Sequence, residues 1–335
     1  MKLEDLNFEY PEALVATERS AVSRVMVVDG NGPSEWTPFS QVFDLFRPGD
    51  VLVINDTKVL KRRVFTESGL EILFISPSVD RREWEVLCPA SRWKNGSLET
   101  LPEGVQLELL RRGRPQSVRA SQPLTDEYFE KNGELPLPPY IQKARGERKN
   151  RSDDGLQYQT EWGHKAGSLA APTASLHFSN EHLQQLKNRG VHILKITLHV
   201  GLGTFLPVTT DRLEDHLMHG EVAEVSNEVW NEILKAKSEG RRVAAVGTTV
   251  ARTLESVAHQ ILNPGEVGET RLFIRPGFEY RTVDILLTNF HQPKSTLFAL
   301  VAAFAGLDRV QSSYAWAIEK KFKLFSYGDL SVWMR

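Results

Sequence analysis

The chain has 335 residues, 41% of them hydrophobic and 25% charged, with a formal net charge of −2. That is an ordinary globular composition, long enough for two sizeable cores, and the single cysteine, Cys88, excludes an intramolecular disulfide framework or a multi-cysteine metal site. The acidic opening MKLEDLNFEY lacks the apolar centre of a signal peptide, and the longest apolar run, around residues 297–305, is too short to span a bilayer, so a cytoplasmic location is expected.

In chain order, residues 1–56 contain two buried-strand runs, SRVMVVD and GDVLVIND. From about residue 67 the texture changes to short strand-like runs: LEILFIS, EWEVLCP, VQLELLR and SVRASQP. Gly, Pro, Asn and Asp divide them at the spacing of a small antiparallel barrel, DEYFEKNG is the one short helix signal, and ELPLPPYI closes the stretch in extended form. Beyond residue 176 strands and helices alternate. SNEHLQQLKNRG reads as a helix capped by Ser179 and stopped at Gly190, with VHILKITLHV as the next strand. SNEVWNEILKAKSEG repeats the pattern from Ser226 to Gly240, followed by the strand RRVAAVG, the helix TTVARTLESVAHQ, the strands RLFIRPG and VDILLTNF, and the final helices. The expected fold is α/β: a largely parallel sheet flanked by helices, layered or hemi-barrel-like, with a small antiparallel β-barrel inserted. The expected division is residues 1–66 and 148–335 for the α/β domain and 67–147 for the barrel.

Charge is uneven along the chain. Residues 57–151 hold 18 Lys and Arg against 13 Asp and Glu, while the remainder holds 23 against 30. This basic stretch reads either as a solvated surface or as a phosphate-facing patch.

Ligands of open α/β sheets sit beyond the carboxyl ends of the strands. VLVI is followed by Asn55, Asp56 and Thr57. ITLHV contains His199 and runs into Gly201, Gly203 and Thr204, and VAAV runs into Gly247, Thr248 and Thr249. DILL runs into Thr288, Asn289, His291, Lys294, Ser295 and Thr296. Thr248 and Ser295 have a reading as simple helix caps, but capping does not account for Asn289, His291 and Lys294 together. The last loop therefore reads as a site whose free helix amides hold an anion with help from Lys294.

Three further stretches carry chemistry-bearing residues. HVGLGTFLP has a Gly-x-Gly after a strand but lacks the third glycine, and Pro207 blocks a helix, so it is not a dinucleotide fingerprint. HLMHGE offers His216, His219 and Glu221, either as metal ligands of a hydrolase or, in better accord with the missing third strong ligand, His219 and Glu221 as an acid–base pair. GSLAAPTASLHF keeps its backbone bare at Gly167, Ala170, Ala171 and Ala174, which suits either a planar ligand such as a purine or tight packing.

These segments together, in this order, resemble the S-adenosylmethionine:tRNA ribosyltransferase-isomerases of queuosine biosynthesis. The stretches that carry the likeness are GDVLVINDTKV, PLPPYI, YQT, GSLAAPTASLHF, TLHVGLGTFLPV, HLMHGE, VGTTVARTLES, FIRPGF, LLTNFHQPKSTL and FSYGD. Departures from the family pattern fall at a shorter N-terminus, at RSAVSR, at Arg271 and Gln292, and at KFKLFSYGD.

The resemblance implies S-adenosylmethionine as a ribosyl donor and co-substrate, with no permanently bound cofactor and no metal. It implies as acceptor a tRNA carrying 7-aminomethyl-7-deazaguanine at the wobble position, no membrane, no obligate protein partner, and a monomer. Asp56, His177, His199, His219, Glu221, Asn289 and His291 are then the candidates for acid, base and orienting roles. Substrate contacts are expected from Asn55, Thr57, Ala171, Pro172, Thr173, Gly201, Gly203, Thr204, Gly247, Thr248, Thr249, Arg252, Lys294, Ser295, Thr296, Tyr327 and Asp329. Arg62, Arg63, Arg145 and Arg148 are the candidates for tRNA phosphates. A metal-dependent hydrolase and a non-catalytic RNA-binding protein are the alternatives.

Overall fold

The computed structural model describes residues 1–20, 23–89, 93, 97–201, 203 and 208–335. Strands β1 (Arg24–Asp29) and β2 (Ser34–Pro38) pair antiparallel, and β3 (Val51–Asn55) comes after a 3-10 segment, Phe39–Leu45. β4 (Thr57–Val59) then leads out of this sheet into a second one.

The second sheet comprises β5 (Arg63–Phe65), β6 (Glu71–Pro77), β7 (Glu83–Leu87), β8 (Leu98–Thr100), β9 (Gln106–Arg111) and β10 (Gln116–Ala120). Their order is β5-β6-β7-β10-β9-β8, and every pairing is antiparallel. It is a curled half-barrel rather than the closed barrel expected, since β5 and β8 stand at opposite edges. Helix α1 (Asp126–Asn132) explains why closure is not needed: its Phe129 packs on Phe74 and Trp84, with ring centroids 5.2 Å away in both cases. The helix thus packs on the apolar face of this sheet, which has its own core of Val64, Ile72, Phe74, Trp84, Val86, Leu107 and Val118.

The chain returns through α2 (Pro139–Arg145) and α3 (Asp154–Gln157) to β11 (Lys165–Ser168), which pairs parallel with β4. A 3-10 turn at Thr173–His177 precedes α4 (Asn180–Asn188) and β12 (His192–Leu198). Next come β13 (Glu221–Glu224), α5 (Asn227–Ser238), β14 (Val243–Val246) and α6 (Thr248–Ala258). The last elements are β15 (Val267–Thr270), β16 (Ile285–Asn289), α7 (Thr296–Ala305), α8 (Leu307–Glu319) and β17 (Leu330–Met334). Ser179, Ser226 and Ser295 cap α4, α5 and α7 through their hydroxyls, as the sequence leads one to expect.

The main sheet has nine strands in the order β15-β13-β12-β3-β14-β16-β17-β1-β2. Its centre, β12-β3-β14-β16, is a run of parallel neighbours, and β17 and β1 also pair parallel. β13, β15, β17 and β2 add antiparallel pairings on both flanks, so the sheet is mixed rather than largely parallel. The strand expected at RLFIRPG lies one segment earlier, because the β13–β15 ladder ends at Glu221 and Thr270. In β3 every residue is buried, and alternate side chains enter opposite cores: Val51 and Val53 face α5 to α8, while Leu52 and Ile54 face α4 and the 39–45 segment. One buried carboxylate, Glu255 of α6, accepts from the amides of Arg281, Thr282 and Val283 at 2.9–3.0 Å and so anchors the approach to β16. Among the described residues no helix is long and apolar enough to cross a membrane.

Candidate active site

A cleft of about 510 Å³ opens beyond the carboxyl ends of β14 and β16. Gly247, at φ +94°, turns the chain sharply from β14 into α6, a conformation that side-chain-bearing residues resist. The β16 loop contributes Thr288 to Leu297, the segment before α4 contributes Ala170 to Ala174, and His219 and Glu221 enter from the start of β13. Tyr140, Phe273, Phe325 and Ser326 complete the wall.

Burial sets the character of the polar groups. Asn289, only 2% exposed, places Nδ2 at 3.1 Å from His177 Nε2 and 3.3 Å from the Gly328 carbonyl. His177 Nδ1 lies 2.9 Å from Ser23 Oγ. His291 Nε2 lies 2.9 Å from Thr288 Oγ1, and its backbone N–H donates to the Tyr314 hydroxyl at 3.0 Å. Desolvation drives the His291 imidazole down to about 3, and desolvation together with the nearby Arg19 charge does the same to His177. Both rings are therefore neutral near pH 7, suited to hydrogen bonding rather than to proton donation as imidazolium. Glu221 and Arg252 form a buried ion pair on the cleft wall, and Glu221 Oε1 also accepts from the Gly201 amide at 2.8 Å. Burial lowers the Arg252 guanidinium to about 10. His219 keeps its side chain exposed at the rim.

Of the sequence-derived candidates, Ala171, Pro172, Thr173, Gly203, His219, Glu221, Gly247, Thr248, Thr249, Arg252, Asn289, His291, Lys294, Ser295 and Thr296 line this cleft. His177 reaches it only through Asn289. Thr204 lies outside the described residues. The β3 end does not line it: Asn55 Nδ2 donates to the Leu198 carbonyl, and its Oδ1 accepts from the Leu198 and Thr57 amides. Asp56 accepts from Thr197 at 2.7 Å, and His199 Nδ1 meets Thr57 Oγ1 at 2.7 Å. Gly167 is bare because the His199 ring packs there; a Cβ at Gly167 would approach it to 2.7 Å. That glycine serves packing, whereas Ala171 and Ala174 border the cleft.

Other candidates have structural partners. Asp329 accepts from the amides of Arg24 and Lys323, and Tyr327 packs on Tyr158 with centroids 5.8 Å apart. Gly201 supports Glu221 rather than lining the cleft. Ser295 caps α7, and Lys294 Nζ lies 2.6 Å from Glu4 Oε2, so its charge is already met by a carboxylate.

Three of the four arginines expected at tRNA phosphates are buried instead. Arg62 pairs with Asp126 at 2.8 Å and lies over the Phe129 ring. Arg63 pairs with Glu134 at 2.8 Å, and Arg145 makes a two-pronged bond to Asp154 at 2.8 and 2.9 Å. Arg148 alone of the four is exposed. Among the described residues no three His, Cys, Asp or Glu side chains come together as a metal site requires, and His216 instead packs its ring on Phe273.

Sequence reasoning does not single out Tyr140, Phe273, Phe325 or Ser326. Their stretches PLPPYI, FIRPGF and FSYGD are visible, but nothing local in them tells whether a given side chain lines a cleft or a core.

The family model for queuosine biosynthesis proteins matches residues 3–332. The S-adenosylmethionine:tRNA ribosyltransferase-isomerase of Halothermothrix orenii is 42% identical over 344 residues, covering 98% of each chain. That of Natranaerobius thermophilus is 41% identical over 346 residues with the same coverage. Among solved structures, the S-adenosylmethionine tRNA ribosyltransferase of Thermotoga maritima is 30% identical with a TM-score of 0.56, covering 98% of this chain and all of that one.

Proposed function

The chain belongs to the queuosine biosynthesis protein family, and we infer that its reaction takes place in the cleft beyond β14 and β16. It acts as an S-adenosylmethionine:tRNA ribosyltransferase-isomerase. The acceptor is the aminomethyl group of 7-aminomethyl-7-deazaguanine at the tRNA wobble position, and the products are epoxyqueuosine-tRNA, adenine and methionine. No resident cofactor is needed, since the sulfonium itself activates the ribosyl group.

The observation that carries this reading is the convergence, in one cleft, of a helix N-terminus, a Glu–Arg pair, two imidazoles and an amide. The chemistry asks for a base that takes a proton from the 5′ carbon beside the sulfonium, and for an acid that assists adenine departure. Glu221 and His219 are the groups placed to move protons: one is a carboxylate on the wall, the other an imidazole open to solvent at the rim. Neutral His291 and Asn289 orient ribose or amine through hydrogen bonds. His177 positions Asn289 from behind.

Residues 1–66 and 148–335 act as the catalytic domain, and 67–147 as an inserted module with its own core, supported by the separate apolar cluster of the half-barrel. The tRNA lies across the face shared by the two, with Arg148 at a phosphate, and the protein works as a cytoplasmic monomer. Mixing the protein with S-adenosylmethionine and tRNA bearing the aminomethyl-deazaguanine tests the reading. Free adenine and methionine should appear in equal amounts, and only when that tRNA is present; a chelator should not stop them. Their absence with folded protein refutes the assignment.

A further inference from the structure

The wall formed by Glu221, Arg252 and the first turn of α6 has the features of an amino-acid receptor. α6 is an 11-residue helix whose N-cap residue, Gly247, has no side chain with which to cap it. The amides of its first turn have no carbonyl within the helix and point toward the cleft, where Thr248 and Thr249 line the surface. Arg252 is only 8% exposed and borders the same space, and its Nε has no hydrogen-bond partner among the described residues. Thr249 Oγ1 is likewise unpartnered among them. Buried donors left this way are costly unless a ligand completes them.

Opposite stands the Glu221 carboxylate, in contact with Arg252 and also on the cleft surface. A buried ion pair is a poor stabiliser in its own right, because desolvation of both charges offsets their attraction. Its presence at a ligand surface has a ready use: it offers both signs of charge side by side. Lys143 and Lys294, which also line the cleft, are paired with Glu12 and Glu4.

We propose that this wall is a receptor for a zwitterionic α-amino acid group, with the carboxylate held by the α6 amides, Thr249 and Arg252, and the ammonium held by Glu221. Resting on the cleft being the donor site, the group is the methionyl end of S-adenosylmethionine. That end is remote from the bonds that change, so its grip positions the ribose against Asn289 and His291 without taking part in proton transfer. A Glu221 carboxylate so engaged leaves His219 as the side chain that moves protons.

Calorimetric binding to the full chain, without tRNA, tests this with three ligands: S-adenosylmethionine, its decarboxylated analogue and its deaminated analogue. The wild-type protein should bind each analogue at least tenfold more weakly than S-adenosylmethionine. Arg252→Met should lose at least tenfold toward S-adenosylmethionine yet bind the decarboxylated analogue as the wild type does. Glu221→Gln should show the same pattern with the deaminated analogue. Equal wild-type affinity for all three ligands overturns the proposal, and because that comparison needs no variant it decides the matter even if a variant fails to fold. A variant that folds and weakens all three ligands by one common factor also overturns it. Adenine release on adding acceptor tRNA is read separately: turnover without discrimination among the ligands defeats the receptor alone, and discrimination without turnover defeats the assigned reaction.

Discussion

Asn289 Nδ2 sits 3.1 Å from His177 Nε2, joining the last residue of β16 to the 3-10 turn before α4. The second contact of the same nitrogen, 3.3 Å to the Gly328 carbonyl, identifies it as the amide nitrogen, because a carbonyl only accepts. Nε2 of His177 is therefore the unprotonated ring atom, and Nδ1–H points at Ser23 Oγ. What remains for the cleft is Asn289 Oδ1, which has no partner among the described residues.

Asn289→Ala should then do two things. Turnover should fall at least tenfold, as the loss of an orienting contact at the reacting centre requires. Stability should fall as well, by about 1–3 kcal/mol, because His177 Nε2 and the Gly328 carbonyl lose their donor. Sequence alone suggests a variant of unchanged stability; burial of the amide changes that expectation. Thermal denaturation beside an adenine-release assay measures both, and a variant with wild-type melting would show the contact to be idle.

Acid should destabilise the protein through its buried imidazoles. His291 is held near 3, below the value of about 6.5 for an unfolded histidine, so between those limits the unfolded chain binds one proton more. Stability therefore rises with pH through this window and levels off above about pH 6.5. At pH 5 each such histidine contributes about 1.4 kcal/mol per pH unit to the slope. His291→Gln should remove one proton from the slope of stability against pH between 4 and 6, read by denaturant titration at each pH. An unchanged slope would mean the ring is not held neutral.

How far the site is legible in the sequence depends on the range of the interactions involved. Ser179, Ser226 and Ser295 cap helices three residues away, so local pattern reveals them. Gly247 to Thr249 and Asn289 to Thr296 stand directly after buried strands, which marks them in the sequence, and they line the cleft. The same position marks Asn55, Asp56 and Thr57, which close β3 against β12 instead, because Asn55 meets Leu198 from 143 residues away. Arg62 and Arg63 read as exposed cations, solvated or facing a phosphate, for the same reason. Their partners, Asp126 and Glu134, are 64 and 71 residues distant. The spacing of strands is local and suggests a closed barrel, whereas the packing of Phe129 over the half-barrel is not local.

Arg145 and Arg148, three residues apart in the chain, should separate cleanly. Arg145 is a buried partner of Asp154, so Arg145→Ala leaves a carboxylate uncompensated and should cost about 3–5 kcal/mol. Arg148 is exposed, and Arg148→Ala should leave melting within about 0.5 kcal/mol of wild type. If Arg148 meets a phosphate, that variant should weaken tRNA binding and lower the salt slope by about one counterion, with S-adenosylmethionine binding unchanged. Filter binding across a salt series decides it: an unaltered slope removes Arg148 from the tRNA surface.

A support runs from the N-terminal segment to His291. Phe8 packs on Phe298 and on Tyr314, with centroids 5.2 Å apart in each case, and the Tyr314 hydroxyl accepts the His291 N–H at 3.0 Å. Leu6 holds the same loop by accepting from the Lys294 amide at 3.1 Å, and Glu4 takes the Lys294 ammonium. Of these contacts the exposed Glu4–Lys294 pair should matter least, and Glu4→Ala should leave stability nearly unchanged, since solvent screens such a pair. Tyr314→Phe keeps the ring and its packing but strands a buried N–H, at about 1–3 kcal/mol. Because the stranded amide belongs to His291 itself, the loop must shift to recover a partner, and the imidazole shifts with it. Turnover at saturating substrate should therefore fall in Tyr314→Phe by about tenfold or more, roughly what 1.4 kcal/mol of lost orientation produces. Glu4→Ala should keep wild-type turnover. Equal turnover in the two variants would mean that the Tyr314 hydroxyl stabilises the fold without aligning His291.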